Sequence, residues 1–376
     1  MSVAGPTHKE KGTDLKSVPF SVESRANPPE LSVIIPTLNE VEALPCLLAD
    51  LANQTGVDFE VLVSDGGSTD ATRDSAAAML ARYRMAGKVL TGETGRGRQL
   101  NRGASLARGP WLLFLHADSR LPDPLALAKG LSLLRSEENL RRAGHFSLRF
   151  DLPDDERHFE YFFCEVKARC GFSGTIHGDQ GFLLSRTFFA ELDGFREDLP
   201  VLEDTLLAEK VRSQGGWHLL PVSIVTSPRR FMAEGFLERQ TLNALLMNFA
   251  IIGWDKPLRR IPEVYRPQSL ARTLVLAPFF GVIDDYLAEL PMRERARIWY
   301  HMGRFVRGNA WQPVLRRAAR RAFAAGTAPG AVALEPVRRF CRWFDLLTDH
   351  PAGHLAAALL TWIWFRTRRR ESVQGG

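Results

Sequence analysis

The chain has 376 residues, 45% hydrophobic and 24% charged, a globular balance that excludes a wholly disordered chain and a polytopic membrane protein. Its formal charge is +6, and arginines crowd the last third, at Arg293, Arg295, Arg297, Arg304, Arg307, Arg316, Arg317, Arg320 and Arg321. A basic region with Trp and Phe between its arginines suits anionic lipid, a phosphorylated substrate or nucleic acid, or is simply a solvated helix face.

In chain order, residues 1–29 carry Lys9, Glu10, Lys11, Asp14 and Lys16 without an apolar run, so a disordered lead is expected rather than a secretory signal. The four cysteines, Cys46, Cys164, Cys170 and Cys341, form no CxxC pair and read as reduced thiols of a cytoplasmic protein. Residues 31–36 are a β-branched run stopped by proline, hence a strand. A helix is expected to open at Asn39 and Glu40, with Leu44, Leu47, Leu48 and Leu51 on one face. Residues 59–64 are the second strand. Ser68 and Asp70 after it fit a helix N-terminus, because both offer oxygens to unpaired amides. Residues 88–90 and 111–115 give a third and a fourth strand.

Strands alternating with helices indicate an α/β fold with an open, mostly parallel sheet, whose ligands bind beyond the carboxyl ends of the strands. A domain over 30–231 is therefore expected. Beyond it, helices at 236–249, 270–290 and 293–323 and a last helical stretch after 331 predict a helical extension over 232–376. Two apolar runs, 270–282 and 355–365, fall short of the roughly 18 residues a spanning helix needs. Each reads as a buried core helix or as an interfacial helix on a membrane.

The strand ends hold the chemistry. Pro36, Thr37, Asn39 and Glu40 follow the first strand and are not the glycine-rich dinucleotide fingerprint. Asp65, Gly66 and Gly67 end the second, where the glycines admit a planar ligand and the carboxylate can accept from a ring imide such as that of uracil. A tight turn with a capping Asp gives the same sequence. His116 and Asp118 end the fourth strand two residues apart, on one side of an extended chain. They are a seat for Mg²⁺ or Mn²⁺, which favour carboxylate plus diphosphate oxygens. Glu203 and Asp204 open a helix running to about Gln214. One can face the cleft and take a proton from an acceptor hydroxyl, or both can serve the helix dipole. Arg229 and Arg230, and Arg96 and Arg98 with Gln99 and Asn101, are candidates for diphosphate oxygens.

Taken in order, residues 32–40, the 65–70 turn, the strand into His116-Ala117-Asp118 and the late Glu203-Asp204 resemble the family 2 glycosyltransferases of the GT-A fold. The resemblance spans residues 31–231. Segments 95–104, 177–181 and 227–231 are similar to a bacterial subgroup associated with radical-SAM and selenium-domain proteins and linked to arsenosugar synthesis. What this implies is an inverting transfer from a nucleotide-sugar, with UDP-sugar the expected donor and a divalent metal as cofactor. Asp65 would recognise the base, Asp118 with His116 would bind the metal, and Asp204 with Glu203 would act as base. Donor contacts would come from Pro36, Thr37, Asn39, Glu40, Gly66, Gly67, Arg96, Arg98, Asn101, Asp179, Gln180, Arg229 and Arg230. Two departures stand out: Gly66 replaces the second Asp of the family's first motif, and His116 replaces the first Asp of its metal motif.

Three rival readings remain. A nucleotidyltransferase needs a glycine-rich phosphate loop with a lysine, which residues 36–40 lack. A non-catalytic sugar-nucleotide binder or membrane-surface scaffold is motivated by the basic, aromatic C-terminal helices. Specific nucleic-acid binding lacks a recognition motif. Residue types alone do not fix the acceptor, the sugar or the oligomeric state.

Overall fold

The structure is a computed structural model that describes residues 27–153, 158–265, 268 and 273–374; the N-terminal lead expected over 1–29 lies outside it up to residue 26. Four parallel strands form where the sequence has its apolar runs: β1 (Leu31–Thr37), β2 (Phe59–Asp65), β3 (Gly87–Thr91) and β4 (Trp111–Phe114). The helices α1 (Leu44–Ala52), α2 (Thr72–Arg82) and α3 (Arg96–Leu106) connect them. There follow β5 (Ser119–Arg120), α4 (Ala126–Arg135), β6 (Arg142–Phe150), α5 (Phe159–Ala168), β7 (Phe182–Ser185), α6 (Arg186–Glu191), α7 (Glu203–Gln214) and β8 (Gly216–Thr226).

Among the described residues the sheet has eight strands in the order β3-β2-β1-β4-β7-β6-β8-β5. β7 runs against both of its neighbours and β5 runs against β8, while β6 and β8 are parallel. The open, mostly parallel sheet expected from the alternation is therefore present, with an antiparallel insertion at β7. Its central strands β1, β2, β4 and β7 are buried on both faces, while β3 at the edge has no buried residue. Val33 and Ile35 pack with Leu44, Leu47 and Leu48 of α1 on one side, and Ile34, Leu62 and Leu112 with Leu100 and Ala104 of α3 on the other. At Gly103 a Cβ would lie 2.4 Å from Ile34, so glycine lets α3 approach β1 closely.

The sheet ends at Thr226, and the chain then continues as helices: α8 (Arg229–Glu234), α9 (Phe236–Ile251), α10 (Asp255–Tyr265), α11 (Ala277–Glu289), α12 (Met292–Gly308), α13 (Trp311–Ala324), α14 (Glu335–Thr348) and α15 (Pro351–Gln374). They pack back onto the first part of the chain. Leu199 joins a core with Phe249, Phe280 and Phe365, and Phe162 and Val166 of α5 join one with Trp311 and Leu315.

Several expected boundaries shift. The first helix begins at Leu44, because Asn39 sits in the left-handed region at φ 56° and its amide bonds the Ser68 hydroxyl. The second begins at Thr72, with Asp70 accepting from the Thr72 amide, whereas Ser68 points back to Asp65. The helix expected over 293–323 is two, broken at Asn309–Ala310. Pro313 lacks an N–H and is tolerated only in a helix's first turn, which fixes the restart at Trp311. The run at 270–290 contains α11 only from Ala277, and residues 269–272 lie outside the described residues. The run at 355–365 is the middle of the longer α15. No helix among the described residues is long and apolar enough to cross a membrane.

Candidate active site

The carboxyl ends of β1 and β2 are tied into one unit by side chains. Asp65 Oδ1 accepts from the amides of Gly67 and Ser68, both at 2.9 Å, and Oδ2 accepts from the hydroxyls of Ser68 and Thr37. A carboxylate has about four acceptor positions, so Asp65, which is fully buried, keeps no free lone pair for a ring imide. Burial acts to raise its pKa, but the Ser68 hydroxyl and the two amides outweigh it and hold the carboxyl below its usual range. Thr37 is buried with it, and Pro36 is buried in β1. Asn39 accepts from the Thr69 amide at 2.9 Å, and the Glu40 amide bonds the Thr72 hydroxyl. Gln99 of α3 closes the unit, its amide donating to the carbonyls of Thr37 (2.7 Å) and Ser64 (2.9 Å). Gly66 lies against that side chain, where a Cβ would meet it at 2.9 Å. Gly67, at φ 92°, faces open space.

Beyond β4 a charged cluster assembles from distant segments. The Gly178 amide donates to Asp204 Oδ2 at 2.7 Å, and Oδ1 accepts from the Thr205 amide at 2.7 Å. Asp204 thus accepts from a first-turn amide of α7 as well as from the Gly178 amide. Burial acts to raise its carboxyl, but Arg96, His177, His116 and the Gly178 amide together outweigh it and hold it low. Glu203 is buried, 3.3 Å from Arg96 Nε, and burial raises its pKa against that pair. Leu202, just before the pair, is left-handed at φ 64°, a strain of about 1 kcal/mol or more for a branched residue.

A Cβ on Gly178 would lie 2.6 Å from His116 Nε2 and 3.0 Å from Asp204 Oδ2, so the His116 ring, the Gly178 backbone and the Asp204 carboxylate are in close contact. Burial, then Arg96, pushes His116 down to about 4, leaving the neutral imidazole that can ligate a metal. Asp179 belongs to the same cluster. Burial and the charges of Asp204 and Asp118 push it up to about 7, and its Oδ1 is buried without a hydrogen-bond partner.

No three His, Cys, Asp or Glu side chains among the described residues form a ready metal cluster. Mg²⁺ or Mn²⁺ at a diphosphate needs only one or two protein carboxylates, with phosphate and water completing the shell. Asp118 with neutral His116 is a donor pair of the kind such an ion takes, short of three protein ligands.

The arginines divide. Arg229 is taken up by Glu40 at 3.0 Å and lies 3.9 Å from Asp118. Arg230 has no hydrogen-bonded or ion-paired partner among the described residues. Burial and the Arg96 charge lower its pKa, while Asp118 raises it. Arg96 is held charged chiefly by Glu203, then by Asp204, Asp118 and Glu40. Three expected ligands belong elsewhere. Arg98 forms an exposed pair with Glu93 at 2.8 Å. Asn101 clamps the 195–197 turn, its amide donating to the Phe195 carbonyl and Glu197 and its oxygen accepting from the Phe195 amide. Gln180 is buried and donates to the Thr175 carbonyl. A groove of about 530 Å³ lined by Ser147, Arg149, Arg169 and Ser223 lies along β6 and β8, and none of the residues expected from the sequence lines it.

Residues 32–189 match the model of the family described as Glycosyl transferase family 2. Over this stretch, 42% of its length, the chain is similar to the family 2 glycosyltransferases. Its fold is an open, mostly parallel sheet with flanking helices and a helical C-terminal region. A PGL/p-HBAD biosynthesis glycosyltransferase of Mycobacterium bovis is 41% identical over 112 residues, 29% of this chain and 43% of the relative. The validoxylamine A glucosyltransferase of Streptomyces hygroscopicus subsp. jinggangensis is 45% identical over 91 residues, 23% of this chain and 21% of the relative. The chain spans less than half the length of these curated relatives. Among solved structures, the mannosyltransferase PcManGT of Pyrobaculum calidifontis, in complex with GDP-Man and Mn²⁺, is similar at TM-score 0.48 and 19% identity, over 90% of this chain and 88% of that one. S. aureus TarS residues 1–349 with UDP is similar at TM-score 0.45 and 17% identity, over 92% of each.

The family 2 match ends before α7, so Asp204 comes to the cluster from outside it. Sequence reasoning missed His177, whose ring nitrogen lies 3.1 Å from the Thr205 hydroxyl behind Asp204. It also gave Gln99 a ligand's role instead of a clamp's. The one signal for His177 was its place beside Gly178-Asp179.

Proposed function

We propose that the protein is an inverting glycosyltransferase that moves a sugar from a nucleotide-sugar donor to a hydroxyl acceptor. One observation supports the reading: His116, Asp118, Asp179, Asp204, Arg96 and Arg230, far apart in the chain, lie within electrostatic reach of one another, with His116 and Asp204 both against Gly178. Asp118, with His116, would hold a divalent cation, Mn²⁺ or Mg²⁺, which when bound supplies positive charge against the departing diphosphate. Arg230 and Arg96 bind diphosphate oxygens, and the guanidinium of Arg230, which has no partner among the described residues, can turn its donors to them. Asp204, ionised and aimed by the Gly178 amide, takes the proton of the acceptor hydroxyl. The hydroxyl oxygen bonds to the anomeric carbon as the bond to the diphosphate breaks, and the configuration inverts. Uracil is the expected base. Contact with Asp65 then requires an internal donor to yield, and the Ser68 hydroxyl can turn away by rotation about one bond. Placement in the arsenosugar-linked subgroup belongs to this proposal and rests on residues 95–104, 177–181 and 227–231.

A second assignment of the base is favoured by Asp179, whose orphaned oxygen and high pKa suit proton uptake better than the hydrogen-bonded Asp204. A thermal-shift screen of UDP-, GDP- and dTDP-sugars, with and without Mn²⁺, identifies the donor as the one that raises Tm. If none does so, with or without Mn²⁺, the transferase reading fails. With that donor, Asp204→Asn is expected to lower kcat for nucleotide release by about 10²–10⁴-fold while donor binding survives. A normal kcat in Asp204→Asn with the same loss in Asp179→Asn gives the role to Asp179.

A further inference from the structure

α14 and α15 turn an apolar surface outward that nothing in the described chain covers. Trp343, Leu346 and Leu347 of α14 are exposed, and so are Leu355, Leu359, Leu360, Trp362, Ile363 and Trp364 of α15. Nine of the nineteen exposed large apolar side chains of the described residues thus fall between residues 343 and 364. Leu346 is 82% exposed and Leu360 66%. The core needs none of them, since α15 already has an inner stripe. His354, Ala358, Thr361 and Phe365, at helical spacing, are buried, and the backbone at Ala358 fits so closely that a Cβ on Gly303 of α12 would lie 2.3 Å from it. A helix apolar on its solvent side as well as its core side has a second apolar neighbour to meet.

Charge says what that neighbour is. Residues 292–374 hold sixteen arginines against five acidic residues, a local charge of +11 in a chain whose total is +6, so the remainder carries −5. Arg338, Arg339 and Arg342 interleave with the outward Trp and Leu of α14, and Arg366, Arg368, Arg369 and Arg370 follow directly on those of α15. Arg338, Arg339 and Arg370 have no acidic partner among the described residues, and Arg366 lies over the Trp362 ring. Trp and Leu flanked by arginine is the pattern of a helix lying in a lipid interface, with rings at headgroup level and guanidinium groups on phosphate. A two-fold contact between copies would instead set two strongly basic surfaces face to face, and interface cores are poor in charge.

We infer that α14 and α15 dock the protein on a bilayer surface bearing anionic headgroups. This inference is independent of the transferase reading. The test is co-sedimentation of the full chain with vesicles of equal parts phosphatidylglycerol and phosphatidylcholine, against phosphatidylcholine alone. The chain is expected to pellet with the mixed vesicles and, at raised salt, to release in part. The triple variant Leu346→Ser, Leu359→Ser, Ile363→Ser should weaken partitioning about tenfold or more, with an unchanged Tm because all three side chains are exposed. Arg339→Glu with Arg370→Glu should weaken it about fivefold or more per site on the mixed vesicles only. Failure to pellet with mixed vesicles overturns the inference, as does a folded triple variant that pellets like the wild type. So does a stable dimer in sedimentation velocity that the triple variant separates, since the face would then belong to a second copy.

Discussion

At the scale of single residues, Gly178 decides whether the cluster can assemble. Its amide orients Asp204, and its missing side chain leaves room for the His116 ring. In Gly178→Ala the new methyl would need the space of His116 Nε2 or of the Asp204 oxygen, and one of them must move. A displacement of about 1 Å at reacting groups can cost about 100-fold. We therefore expect Gly178→Ala to lose one to two orders of magnitude in kcat/KM for nucleotide release, with Tm shifted by a few degrees at most. Wild-type turnover in this variant would mean that His116 and Asp204 do not act together. Asp65 illustrates the opposite case, a residue of expected function whose hydrogen bonds are all internal. Its carboxylate builds the turn first.

At the scale of elements, α3 holds the ends of β1 and β2 together through Gln99, whose amide serves two carbonyls at once. Replacing it with a similarly sized apolar side chain leaves the Ser64 carbonyl short of a buried donor, and such a loss costs about 1–3 kcal/mol. Gln99→Leu should lower the free energy of unfolding by that amount, seen as a lower urea midpoint at unchanged slope, and should weaken donor binding because residues 37–40 lose their anchor. An unchanged midpoint would show that the clamp is not needed. The helix and strand types of this region were legible from the spacing of Leu44, Leu47, Leu48 and Leu51 and from the β-branched run of β1. The helix starts were not. Asn39 gives its amide to Ser68, some thirty residues away, and local capping preferences carry no record of a partner on another strand.

At the scale of the whole molecule, stability carries a mark of pH from His145, which is buried at the β6–β7 contact. Burial pushes its pKa down to about 4, against 6.5 for the free side chain. The sign follows from which state binds the proton: below pH 6.5 the unfolded chain takes it up and the folded chain does not. The contribution is fully present above pH 6.5 and is lost as pH falls towards 4, by about 3 kcal/mol in all. In urea titrations from pH 7 to pH 4, His145→Gln should lose less stability than the wild type by up to that amount. Equal losses would exclude His145 as a source of acid sensitivity. Residue pattern alone was enough for the first four strands and their alternation with helices, the mostly parallel sheet and α7 at Glu203–Gln214, because period and composition are local properties; β5, β6 and the antiparallel β7 were not read from it. Only the tertiary structure decided which of those residues meet. It drew Asp179 and Arg230 into the cluster with Asp118 and Asp204, and gave Asn101, Gln180 and Arg98 to packing or surface. Convergence depends on the crossing of segments remote in the chain, and burial, the largest influence on His116 and Asp179, exists only once they have crossed.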